Sequence, residues 1–63
     1  MKKENLKRAK SALAMLVPVY GPIDMRTSII DALTDLRHLC DTECMDFANM
    51  DRTAYAHYLK ELS

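Results

Sequence analysis

Glycine occurs once in this 63-residue chain, proline twice and tryptophan not at all. Sheet proteins spend glycine and proline on their many turns, so this scarcity excludes a many-stranded sheet. Cysteine is equally sparse, at Cys40 and Cys44 only. A bridge across four residues would close a trivial loop, and two cysteines are too few for a secreted disulfide framework. Both therefore read as reduced thiols of a cytoplasmic protein. No apolar run approaches the ~18 residues of a membrane span. The basic start followed by Ala12 to Val17 has the outline of a secretory leader, but Pro18 stops the run early and no small-x-small cleavage site follows. Also missing are a Gly-rich phosphate loop, a nucleophile elbow and any serine or cysteine visibly paired with a base. "DTECMD", from Asp41 to Asp46, is acidic enough for calcium but lacks the central glycine and twelfth-position glutamate of an EF-hand. With no room for a second domain to form a cleft, the chain is expected to be neither an enzyme nor a cofactor carrier.

What is present is 49% hydrophobic, rich in Ala, Leu and Met and poor in β-branched runs, the composition of a small all-α domain spanning residues 1–63. Leu6, Ala9, Leu13, Leu16 and Val17 recur at helical spacing opposite Lys3, Lys7, Lys10 and Ser11, predicting a helix over about 3–17 that Pro18 ends. "PVYGP" reads as a tight joint over 18–22. Met25, Ile29, Ile30, Leu33, Leu36, Leu39 and Cys40 form a broad stripe on a second helix, about 23–43. Its start has two candidate signals: Pro22 in the first turn with Asp24 near the N-terminus, or Ser28 as cap with Asp31 completing a capping box. Ala54, Tyr55, Tyr58, Leu59 and Leu62 give a third helix. Asp51 would interrupt an arc begun at Phe47 and Met50, so a short turn capped by Asp46 and then a helix over 51–62 capped by Asp51 is the preferred division; one helix bent at Asp51 is the alternative.

A chain this short buries only about 60% of its unfolded surface, so its core needs help. The stripes are wider than one three-helix protomer covers, and a helical hairpin plus a third helix, completed by homodimerisation, is the expected architecture. Formal charge is zero but unevenly placed. Lys2, Lys3, Lys7, Arg8 and Lys10 face only Glu4 in the first ten residues, whereas Asp31, Asp35, Asp41, Glu43, Asp46 and Asp51 face only Arg37 over 31–51. An antiparallel hairpin would place the basic start of the first helix beside the acidic end of the second, offsetting charges that each oppose their own helix dipole.

Asp31, Asp35 and His38 project from one helix face, a set of ligand types that suits zinc, iron or manganese, but they lie opposite the apolar stripe, where a solvated face is the expectation. His57 with Glu61, or Cys40 and Cys44 with a histidine, follow no standard ligand spacing. The basic residues Lys2, Lys3, Lys7, Arg8 and Lys10 could meet nucleic-acid phosphates, although a net-neutral chain lacks a broad basic face. Arg52, Tyr55 and Tyr58 are of the types enriched at protein-protein hot spots, with five methionines adding adaptable apolar surface. The partner-binding set is therefore Asp31, Asp35, His38, Asp41, Arg52, Tyr55 and Tyr58.

The stretch "LTDLRHLCDTECMDFANMDRTAYAHYL", Leu33 to Leu59, resembles a segment of short uncharacterised proteins of bacterial phages, plasmids and integrated elements. Thr34, Asp35, Leu36, Arg37, His38, Asp41, Asp46, Phe47, Ala54, His57 and Tyr58 carry the likeness, over less than half of the chain. The similar proteins often have glycine near the position of Cys44, where it would end a helix. The resemblance brings no catalytic residue. It implies a mobile-element accessory protein that binds and blocks a host protein, including defence systems such as CRISPR complexes.

Overall fold

A computed structural model describes residues 2–21 and 24–63. It consists of three helices, α1 (Lys3–Tyr20), α2 (Met25–Thr42) and α3 (Phe47–Leu62), with no strand among the described residues. The all-α class expected from composition is the class observed. Pro22, one of the two candidate start signals for the second helix, lies outside the described residues.

Two boundaries differ from expectation, and a third, left open between two signals, is decided. Pro18 does not end α1, which runs on to Tyr20. Pro18 withdraws one N–H from the last turn, and Gly21 closes that turn by donating its N–H to the Val17 carbonyl at 2.9 Å, with φ at 83°. That positive φ, with an extended ψ of 164°, is a conformation open essentially to glycine. Ser28 does not cap α2. Asp24 does, its carboxylate accepting from the Arg26 N–H at 3.2 Å and from the Thr27 hydroxyl. These donors, the Thr27 hydroxyl foremost, hold the Asp24 carboxyl below its ordinary range. Ser28 instead sits buried inside the helix, donating from Oγ to the Gly21 carbonyl at 3.2 Å and tying α2 to the end of α1. Finally, Asp51 neither caps nor divides α3. Asp46 alone is the cap, accepting from Ala48 and Asn49 N–H at 3.0 and 3.4 Å, and a single helix follows. Asp51 is tolerated in mid-helix because it is exposed there and its charge stays solvated.

The end of α2 shows what replaces the missing glycine. Met45 N–H reaches the Cys40 carbonyl at 2.9 Å and Cys44 N–H the Asp41 carbonyl at 3.3 Å, the paired bonds of a Schellman motif. Cys44 occupies its left-handed position with φ 56°. A side chain there costs energy that glycine would not.

The helices meet at their ends. Gly21 with Ser28 joins α1 to α2, and the Schellman turn with the Arg37 guanidinium over the Phe47 ring at 4.4 Å joins α2 to α3. Asn5 Nδ2 donates to the Glu61 carbonyl at 2.8 Å, and Arg8 pairs with the Glu61 carboxylate at 3.5 Å, so the end of α3 returns to the start of α1. In an up-down-up bundle those two ends lie at opposite poles. The chain is instead an open, flattened triangle of helices, 35 × 30 × 15 Å. Its radius of gyration is 13.1 Å, where a compact chain of this length gives about 11 Å.

This geometry corrects the expected charge pairing. The basic start of α1 lies against the end of α3, and Arg8–Glu61 is the one ion pair among the described residues. None of the acidic residues of 31–51 is paired with a lysine. The triangle also leaves almost nothing inside. Cys40 and Ser28 are the buried residues among those described, while Leu6, Leu13, Ile29, Ile30, Leu33, Leu36 and Leu59 stay close to half exposed. The accessible surface is 5477 Å2, where a compact folded chain of this mass exposes about 4,100 Å2.

Candidate functional site

Seen along α2, the sequence separates two faces. Met25, Ile29, Ala32 and Leu33 fall on the side turned to α1, and with Ala9, Ala12, Leu13 and Leu16 they line an open groove with no charged or polar side chain among the described residues. Asp31, Asp35, His38 and Asp41 occupy the remaining arc and are all exposed. This is the separation that helical periodicity anticipates.

One contact on the acidic arc was not legible in the sequence. The Tyr20 hydroxyl, at the end of α1, donates to Asp35 Oδ2 at 2.6 Å. The neutral phenol is favoured by that bond, then by partial loss of solvent, then by the negative charges of Asp35 and Asp31, so the Tyr20 pKa rises above its ordinary value of 10.0. Asp35 is therefore a structural acceptor that fastens α1 to α2. Asp31 and Asp41 make no ion pair among the described residues and carry the free negative charge of this face.

The candidate metal sets do not assemble. Among the described residues no three His, Cys, Asp or Glu side chains converge as metal ligands. Asp35 is engaged by Tyr20, Glu61 by Arg8, and Cys40 is buried while Cys44 is exposed, both as free thiols.

On α3, Tyr55 and Tyr58 stack with ring centroids 6.2 Å apart and planes inclined by 23°. They are 60% and 55% exposed, so neither serves as core within this chain. Arg52 is exposed beside them in sequence. Tyr58 also lines a largely apolar cleft with Ala9 and Leu62, rimmed by Lys2, Asn5, Arg8 and Glu61, where α3 meets α1. Lys2, at the N-cap, and Lys3, Lys7, Arg8 and Lys10 on α1 are exposed, confined to that one helix and its start.

Tyr20, Asn5 and Glu61 are joints of the fold that no local sequence pattern marks as such. Tyr20 had one available signal, its place inside the "PVYGP" punctuation, but its partner lies fifteen residues away. The chain has no match among family models, curated proteins or solved structures. No helix among the described residues is long and apolar enough to cross a membrane.

Proposed function

We propose that this chain is a non-enzymatic protein-binding module of the cytoplasm, acting as a homodimer that captures a host protein. The observation that carries this reading is the stacked, more than half exposed Tyr55–Tyr58 pair, together with an acidic arc on the adjoining helix whose Asp31 and Asp41 have no cationic partner among the described residues. Stacked tyrosines offer a large, rigid contact area with polar tips. Unpaired carboxylates steer association towards a basic surface, such as the nucleic-acid groove of a host enzyme or defence complex. The resemblance of Leu33 to Leu59 to proteins of phages and other mobile elements supports a role as an accessory factor that modulates or blocks its host target, CRISPR complexes included.

The test is capture of host proteins on the immobilised chain, compared with Asp31→Lys/Asp41→Lys and Tyr55→Ala/Tyr58→Ala. Asp35 is left intact because replacing it would also break the Tyr20 bond. A captured protein that is lost with both double variants supports the reading; equal capture by all three forms removes it.

A second reading, a small nucleic-acid-binding regulator, draws on the exposed cations of α1, of which only Arg8 is paired among the described residues. Salt-sensitive retention on heparin or duplex DNA would favour it, and Lys3→Glu/Lys7→Glu/Lys10→Glu would then abolish the retention.

A further inference from the structure

We infer that the apolar groove between α1 and α2 is the seat of a second copy of this chain, and that the two copies meet groove to groove about a twofold axis. This deepens the homodimer of the functional reading by naming the face, and it rests on four observations. The surface of the single chain, 5477 Å2, exceeds that of a compact protein of its mass by about 1,400 Å2, more than the ~800 Å2 that each partner contributes to a standard interface and within the range of obligate dimers. The excess is shared by all three helices, and the groove is its uncharged part: Leu13, Leu16, Met25, Ile29, Ala32 and Leu33 line it with no charged side chain among the described residues.

The third observation is the triangle itself. A stable domain buries its helices between two layers, and this flattened ring of helices supplies one. Two copies laid groove to groove bring α1 and α2 of each chain together as a four-helix core, with the α3 helices at the flanks. Fourth, the face is self-complementary by composition. A twofold contact sets each patch against its own copy, which favours an uncharged surface and penalises like charges, and the acidic arc and the α1 lysines both lie outside the groove lining. The arrangement leaves Asp31, Asp41, Tyr55 and Tyr58 out of the groove contact, and it presents them in two copies.

The test uses purified chain with no other protein present, so that its outcome is independent of whether a host target exists. Equal amounts of isotope-labelled and unlabelled chain are mixed through an unfolded state, and intermolecular NOEs are collected. Contacts between copies at the methyl groups of Leu13, Leu16, Ile29 and Leu33 are expected. Intermolecular contacts confined to Met15, Tyr55 and Tyr58, or a well-folded sample with no intermolecular contacts, would overturn the proposal. Met15→Lys is the control variant. Met15 is 73% exposed and absent from the groove lining, and its replacement leaves the intermolecular NOEs unchanged. Their loss in Met15→Lys would place the contact on the wrong face of α1.

Discussion

Leu33→Ala separates the two states of the apolar face by magnitude. In the single chain Leu33 is 45% exposed and lines both the α1–α2 groove and the notch between α2 and α3. Removing three carbons from a half-exposed leucine forfeits half of a transfer term of ~0.8 kcal/mol per methylene, about 1 kcal/mol, and leaves no enclosed cavity. Covered by a second copy, the same side chain becomes core, and truncation then costs the transfer term plus a cavity, about 2–5 kcal/mol at each site. A symmetric dimer contains the site twice, so the loss per dimer is about 4–10 kcal/mol. Urea unfolding followed by circular dichroism at several protein concentrations reads the difference. A loss above 4 kcal/mol per dimer, with a midpoint that rises with concentration, is expected. A loss near 1 kcal/mol that is independent of concentration would refute the reasoning, since it is the value for the isolated triangle.

Two further expectations concern the joints. Cys44→Gly relieves a left-handed backbone at the end of α2 and should raise stability by about 1 kcal/mol, read as a higher urea midpoint at unchanged slope; a lower midpoint would contradict the Schellman assignment. Tyr20 has a folded-state pKa raised above 10.0, so the Tyr20–Asp35 bond contributes fully below the unfolded value and is lost as pH rises through the folded one. Thermal melts of the wild type should therefore weaken above pH 10 more steeply than those of Tyr20→Phe, and parallel curves would remove Tyr20 from the joint.

The helices were legible because 3.6-residue periodicity is a property of single segments, and Leu6 to Leu16, Met25 to Leu39 and Tyr55 to Leu62 each display it. Their ends were less so, because several residues compete to cap. Asp24 prevails over Ser28 because its carboxylate gathers both the Arg26 N–H and the Thr27 hydroxyl, and Asp46 prevails over Asp51 because nothing downstream forces a break. Pro18 read as a stop because its missing N–H weighs most in a helix interior; in the last turn it removes one bond and the helix outlasts it. The triangle was not legible at all. It depends on Asn5 and Arg8 meeting Glu61 across the length of the chain, and no local pattern encodes which helix end closes on which. The acidic arc stands where periodicity placed it, exposed, whereas periodicity set Tyr55 and Tyr58 in the apolar arc of α3, and their exposure, like the engagement of Asp35 by Tyr20, required the fold.

The most direct test of the account is the native mass of the purified chain, measured by light scattering after gel filtration over a hundredfold range of concentration. A helical species of twice the 7.2 kDa chain mass is expected throughout that range. A fully helical, cooperatively unfolding species of 7.2 kDa would contradict it, because the open triangle would then be stable with its apolar face bare to water.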